Sequence, residues 1–82
     1  MWQIRLTKRA DKRRARMSPK DRRLVDGELR ALRCSPLGGD TIELTDAPGI
    51  YRRRKGNWRI IFEISSSNLI SVIDILRRTT TT

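Results

Sequence analysis

The chain contains no histidine and a single cysteine, Cys34, among its 82 residues. One cysteine cannot form an internal disulfide, and without histidine a zinc site would lack its usual set of ligands. We therefore expect no metal and no other cofactor, and a reducing, cytoplasmic setting fits this composition. No group near Cys34 in the sequence can act as its base, which favours a small helix-end residue over a nucleophile.

Long apolar runs are also missing, because no stretch reaches the ~18 residues that a membrane-spanning helix needs. The first six residues are too few and too charged for a signal peptide, so we expect no contact with a membrane. The aromatic residues are Trp2, Tyr51, Trp58 and Phe62. Three of these four lie within residues 51–64, and we expect much of the bulky packing of a single domain, residues 1–82, to be there.

Negative charge is scarce, since nine Asp and Glu residues face nineteen Lys and Arg residues and the formal net charge is +10. Fifteen of the nineteen cations are arginines, whose planar guanidinium groups pair with phosphate through two hydrogen bonds. A protein of this charge repels itself and binds polyanions. We therefore expect a nucleic acid or an acidic protein as its partner, and the alternative is a basic surface that serves only solubility.

Two helices are predicted in the N-terminal half of the chain. Residues 8–17 hold six basic residues without Gly or Pro, which predicts a short and mostly solvated helix. Ser18 is a suitable cap before Pro19, and Pro36 ends the helical pattern that begins there, so a second helix is predicted over residues 19–34. The connection between the two helices is so short that they should form an antiparallel hairpin.

The remaining apolar pattern has the period of two that is typical of half-buried strands. It predicts five strands, over residues 2–6, 41–44, 50–55, 58–64 and 69–76. The last one is nearly all apolar, so we place it in the middle of the sheet, and the four threonines at the end of the chain should fray. The order β-α-α-β-β-β-β predicts an α+β fold, in which an antiparallel sheet carries the N-terminal helical hairpin on one face.

The most charged stretch is the predicted hairpin over residues 51–64, which turns at Gly56 and Asn57. Before the turn, alternation places Arg52 and Arg54 on one face of the strand. The other face of this strand carries Tyr51, Arg53 and Lys55. After the turn, the apolar face consists of Trp58, Ile60, Phe62 and Ile64, and we expect it in the core. The opposite face of the second strand carries Arg59, Ile61 and Glu63.

These arginines make the hairpin a candidate phosphate-binding site. The alternative interpretation is that the four adjacent cations protect a sheet edge from pairing, although their number exceeds that need. The favoured relation between Arg59 and Glu63 is a structural ion pair. Tyr51 can stack on a nucleic-acid base, but packing against the core is the favoured interpretation.

Residues 49–62 read Gly-Ile-Tyr-Arg-Arg-Arg-Lys-Gly-Asn-Trp-Arg-Ile-Ile-Phe. They follow a basic helical hairpin, Pro36, the pair Gly39-Asp40 and Leu44, and a basic pair, Arg77-Arg78, follows the last strand. This ordered set resembles the RelE/ParE superfamily of toxins from bacterial toxin–antitoxin pairs, and the RelE-like branch most closely. The stretch 49–62 is its most specific part, because it is similar to the family's central hairpin motif.

The resemblance implies a metal-independent endoribonuclease that cuts mRNA, usually on the ribosome. It also implies an acidic cognate antitoxin that holds the toxin inactive in a hetero-oligomer. RNA can be cut without a metal ion when its own 2′-hydroxyl attacks the adjacent phosphate, and arginines can orient that phosphate and stabilise the developing charge. By position, the catalytic residues would be Arg59 and Arg78. The residues that hold flanking RNA would be Arg52, Arg54, Lys55 and Arg77.

Two departures from the family pattern bear on activity. Some members carry lysine in place of Arg52 or Arg54, and arginine effectively cannot lose its proton. Many members have a catalytic tyrosine near the C-terminus, which this chain lacks, so it is either truncated or altered or cuts without that group. The sequence names no general base. The alternative functions are a ParE-like inhibitor of DNA gyrase and a non-catalytic, basic RNA-binding module.

Overall fold

The structure, a computed structural model, describes residues 1–78, apart from the side chain of Ser66. Its elements in chain order are β1 (Gln3–Leu6), α1 (Lys8–Ala15), α2 (Pro19–Cys34), β2 (Thr41–Glu43), β3 (Ile50–Lys55), β4 (Trp58–Ser66) and β5 (Leu69–Arg77). This order confirms the predicted α+β fold with two N-terminal helices and one sheet. The four threonines that were predicted to fray lie outside the described residues.

The strands form a sheet with the spatial order β1-β5-β4-β3-β2. The strands from β2 to β5 pair antiparallel, as predicted. The first strand differs, because β1 pairs with β5 in parallel and the sheet is therefore mixed. No hairpin turn dictates the direction of β1, since it pairs with the last strand and not with a sequence neighbour. With β1 and β4 on its two sides, the apolar strand β5 lies inside the sheet, as predicted.

Both helices cover one face of the sheet and close the core between them. The buried apolar side chains are Ala10, Met17, Val25, Leu32, Ile60, Phe62, Ile70, Val72 and Ile75. The alternating residues of β4 thus face the helices, as their pattern predicted. Leu24 of α2 lies outside this core and is 37% exposed. Its side chain lies beneath the β3–β4 turn, close to Gly56.

Capping hydrogen bonds start each helix at the predicted residue. The Thr7 hydroxyl oxygen accepts from the N–H of Ala10 at 3.2 Å, and the same hydroxyl donates to the carbonyl of Ile73 at 2.7 Å. Ser18 accepts from the N–H of Asp21 at 3.2 Å. Because Ile73 belongs to β5, the Thr7 cap also joins the start of α1 to an interior strand of the sheet.

A bidentate ion pair joins the two helices. Nε and Nη2 of Arg14 donate to the two carboxylate oxygens of Asp26, each at 2.7 Å. These hydrogen bonds hold the pKa of Asp26 below its ordinary value and raise the pKa of Arg14. Both side chains remain about a third exposed, so water screens the pair and limits its contribution to stability to about 1 kcal/mol.

Asp26→Asn is therefore expected to lower the free energy of unfolding at neutral pH by about 0.5–1 kcal/mol. The folded-state pKa of Asp26 is lower than its unfolded-state value of about 3.9, so the stabilisation is present above that value and is lost as the pH falls through the folded pKa. Urea unfolding of parent and variant at neutral and at strongly acidic pH measures this difference. The control is Asp46→Asn in the exposed β2–β3 turn. A deficit that stayed constant down to acidic pH would contradict the electrostatic origin.

Candidate phosphate-binding site

The sheet face turned away from the helices, called here the open face, carries three arginines from two neighbouring strands. In the β3–β4 register, Arg54 lies opposite Arg59 and Arg52 lies opposite Ile61. Phe62, next to Ile61, is fully buried on the helix side, so the arginines lie on the other side. The structure thus brings together Arg52, Arg54 and Arg59, as alternation predicted.

Two of these arginines have an unusual hydrogen-bonding state. The Nε atoms of Arg52 and Arg59 are shielded from solvent and donate to no acceptor within residues 1–78. A donor on a charged group that is removed from water without a partner destabilises the protein by roughly 1–3 kcal/mol or more. A phosphate oxygen is the kind of acceptor that would satisfy such donors, because guanidinium groups bind phosphate through N–H pairs.

The predicted ion pair between Arg59 and Glu63 is wrong. The ion pairs of the described residues join Arg13 to Asp74, Arg14 to Asp26, Arg53 to Glu28, and both Arg52 and Arg54 to Asp40. Arg59 and Glu63 share a face of β4, but Ile61 lies between them on that face and their charged groups do not meet. The positive charge of Arg59 is therefore not neutralised by a carboxylate of the described chain.

Asp40, which precedes β2, is a site residue that the sequence did not reveal. Its Oδ2 accepts from Nε of Arg54 at 2.8 Å, and its Oδ1 lies 3.6 Å from Nη2 of Arg52. Its backbone carbonyl accepts from the N–H of Arg54 at 2.9 Å. The register of the predicted β2–β3 hairpin could have revealed Asp40. If the hairpin is centred on Ala47 in its turn, Asp40 lies opposite Arg54.

Arg53 lies on the helix side of β3 and is buried, with 4% of its surface exposed. Its Nε donates to Oε2 of Glu28 in α2 at 2.6 Å, and its Nη1 donates to the carbonyl of Ser35 at 2.9 Å. The sequence placed Arg53 on this face but did not reveal its partners. Because β3 lies between β2 and β4, the interpretation of its cations as edge protection is wrong.

Two of the residues assigned to RNA binding are not part of the open face. In the sheet register Trp58 lies opposite both Lys55 and Arg77, which places these cations on the helix side. The guanidinium carbon of Arg77 lies 5.9 Å from the centre of the Trp58 ring. Arg78 follows β5, and its backbone N–H donates to the carbonyl of Asn57 in the β3–β4 turn. Arg78 is exposed and sits at the same end of the sheet as Arg54 and Arg59.

A second basic surface lies between α1 and the ends of β4 and β5. It is a groove of about 490 Å³ lined by Lys8, Arg9, Lys12, Arg13, Arg16, Met17, Trp58, Ile75 and Arg77. On its helix wall, Arg13 pairs with Asp74 at 3.2 Å. The groove and the open face lie on opposite sides of the sheet, so the protein presents cations in two directions.

Tyr51 packs against the core, which confirms the favoured interpretation of its role. Its ring stacks on that of Phe62 with centroids 5.5 Å apart and planes inclined by 20°. Among residues 1–78, no three His, Cys, Asp or Glu side chains gather in a way that could hold a metal ion. No helix in this part of the chain is long and apolar enough to cross a membrane.

No protein-family model and no curated protein sequence matches the chain. Solved structures do resemble it. A chain of the archaeal RelE–RelB complex from Pyrococcus horikoshii has a TM-score of 0.82 and 20% identity, with 98% of each chain covered. The isolated E. coli RelE toxin has a TM-score of 0.84 and 17% identity, with 99% of this chain and 88% of that chain covered.

A third similar structure is the toxin–antitoxin complex RelBE2 from Mycobacterium tuberculosis, with a TM-score of 0.81 and 19% identity. The match covers 94% of this chain and 98% of that one. All of these likenesses extend over nearly the whole chain. At such identities they establish the architecture: this chain has the fold of the RelE toxins.

Proposed function

We propose that this protein is the toxin of a toxin–antitoxin pair and that it cuts mRNA on the ribosome without a metal ion. The observation that carries the proposal concerns the Nε donors of Arg52 and Arg59 on one sheet face, which are shielded from solvent and have no acceptor within residues 1–78. The likeness to chains from RelE–RelB complexes supports the toxin assignment. A substrate on the ribosome places the protein in the cytoplasm.

In the proposed reaction, the 2′-hydroxyl oxygen of the RNA attacks the adjacent phosphorus. The P–O5′ bond breaks, a 2′,3′-cyclic phosphate forms, the 2′-hydroxyl loses its proton and the 5′-oxygen gains one. Negative charge accumulates on the phosphate oxygens as the bond to the nucleophile forms. Positive groups that are already in place there lower the barrier, because they need no reorganisation.

The open-face arginines and Arg78 supply these positive groups. We assign Arg59 and Arg78 to the scissile phosphate, since both lie at the end of the sheet where β4 begins and β5 has ended. Arg52 and Arg54 hold a flanking phosphate from the neighbouring strand. Arginine keeps its proton at any physiological pH, so these residues act on the charge of the phosphate and not as a general base.

The proposed partner is an antitoxin with an acidic toxin-binding segment. A net charge of +10 on 82 residues favours an acidic protein that neutralises it. Both basic surfaces, the open face and the helix-side groove, fit such a segment. Binding over the open face would also exclude RNA, which accounts for inhibition by simple occlusion.

Cleavage in a reconstituted translation reaction tests the proposal. We expect added protein to cut the translated mRNA at defined codon positions, with 5′-hydroxyl and 2′,3′-cyclic phosphate ends, and to leave the same mRNA intact without ribosomes. Fragments with 5′-phosphate ends would contradict attack by the 2′-hydroxyl. RNA that is bound but uncut would favour a binding module, and uncut mRNA together with blocked DNA supercoiling would favour a gyrase inhibitor.

A further inference from the structure

One carboxylate, that of Asp40, joins two of the open-face arginines. Its two oxygens are divided between them, with Oδ2 at 2.8 Å from Nε of Arg54 and Oδ1 at 3.6 Å from Nη2 of Arg52. A phosphate that bridges two guanidinium groups uses its oxygens in the same way. Asp40 therefore contacts the very groups that the proposed function assigns to RNA.

The position of Asp40 is fixed by a backbone hydrogen bond to β3 and by a contact on the helix side of β3. Its carbonyl accepts from the N–H of Arg54 at 2.9 Å, which continues the β2–β3 ladder by one residue. The preceding Gly39 has φ 64, and a Cβ atom there would lie 2.9 Å from Nη2 of Arg53. The loop that carries Asp40 thus rests on the buried guanidinium of Arg53, so the carboxylate is held by contacts on both faces of the strand.

The contacts of Asp40 decide which N–H groups remain for a ligand. The Nε–H group of Arg54 donates to Asp40, so the two Nη groups of Arg54 remain for another acceptor. Arg54 also lies directly opposite Arg59, and like charges in that position destabilise a strand pair. The carboxylate of Asp40, which contacts Arg54, offsets part of this repulsion.

We propose that Asp40 is a positioning residue for RNA cleavage: it holds Arg52 and Arg54 in the orientation in which their free N–H groups meet the phosphate. This inference rests on the proposed function. It predicts opposite effects on binding and on chemistry when the charge of Asp40 is removed. Binding strengthens because the site becomes more positive, whereas the cutting step slows because the arginines are no longer held in place.

Asp40→Asn tests the inference, because the amide keeps the shape of the carboxylate and one oxygen that can accept from Arg54. We expect the single-turnover rate at saturating protein to fall by roughly 10-fold to 100-fold. The half-saturating protein concentration should fall at the same time. Asp40→Glu keeps the charge and should recover most of the rate. Asp46→Asn makes the same charge change in an exposed turn, and neither quantity should change by more than about twofold with a charge so far from the site.

Three results would overturn the inference. An unchanged saturating rate with tighter binding would make Asp40 a mere competitor of the phosphate. An unchanged rate and unchanged binding, with only a lower melting temperature, would make its role structural. A failure of Asp40→Glu to recover more rate than Asp40→Asn would show that the charge does not position the arginines.

Binding of an uncleavable 2′-O-methyl RNA, measured in parallel by fluorescence anisotropy, separates this inference from the proposed function. If the parent protein binds this RNA but cuts no translated mRNA, the proposed function fails as an enzyme assignment. The proposal for Asp40 then fails with it as a statement about catalysis. If the parent protein cuts and Asp40→Asn cuts equally fast, only the inference about Asp40 is overturned.

Discussion

Arg59→Gln is expected to slow the cutting of translated mRNA by a factor on the order of 10²–10³, the usual effect of removing one donor that stabilises transition-state charge. Arg59 combines three features that no other open-face residue combines. Its Nε is shielded and unpartnered, no carboxylate of residues 1–78 neutralises it, and it faces Arg54 across the strand pair. Its charge is therefore free to act on a phosphate.

The matched control for this variant is Arg23→Gln, which removes the same charge from an exposed position on α2. Single-turnover cleavage at saturating protein should be unchanged in the control, and neither variant should melt at a lower temperature than the parent. Arg59→Lys adds a finer test, because lysine restores the charge but offers no planar pair of N–H groups. We expect it to recover little of the lost rate. Parent-like cleavage by Arg59→Gln would remove Arg59 from the mechanism.

Alternation alone predicted how the central hairpin divides its residues between two faces. A period of two identifies the buried face of β4 and therefore the opposite face, on which Arg59 lies. The same rule placed Arg52 and Arg54 with Arg59 and separated them from Arg53. It could not give the direction of β1, because parallel pairing with β5 depends on how the chain returns after five intervening elements.

The partners of the arginines were harder to predict than their faces. Asp40 and Glu28 are 14 and 25 residues away from the arginines that they bind, so no local spacing connects them. The register of a hairpin is needed for Asp40 and the packing of a helix on the sheet for Glu28. Arg77 shows the reverse error: proximity to Arg78 in the sequence grouped the two, although a strand turns successive side chains to opposite faces.

The largest expected effect on stability is at the buried ion pair of Arg53 and Glu28. Their side chains are only 5% and 12% exposed, and Nε of Arg53 lies 2.6 Å from Oε2 of Glu28. Removing one partner of such a pair leaves an uncompensated buried charge, which typically costs about 3–5 kcal/mol. Glu28→Ala is expected to lower the free energy of unfolding by that amount, a large part of the ~5–15 kcal/mol available to a small domain.

Urea unfolding followed by tryptophan fluorescence measures this loss. The control is Glu43→Ala, because Glu43 is exposed and, within residues 1–78, accepts only from the N–H of Gly49 at 2.8 Å. A single hydrogen bond of this kind contributes about 1 kcal/mol. A loss at Glu28 no greater than that at Glu43 would contradict the assignment of a buried, desolvated pair.

Replacing both partners separates the structural role of Arg53 from any contact with RNA. In the double variant Glu28→Leu and Arg53→Met, two apolar side chains fill the space without a buried charge, and such exchanges are often neutral or stabilising by about 1–4 kcal/mol. We therefore expect the double variant to be far more stable than Glu28→Ala. Arg52 and Arg54 project from the other face of β3, so the double variant should also cut at nearly the rate of the parent. We allow a loss of up to about tenfold, because the Asp40 loop, which contacts Arg53, would be slightly displaced. A stable double variant that cut no mRNA would instead show that cleavage needs Arg53, either directly or through its contact with the loop that carries Asp40.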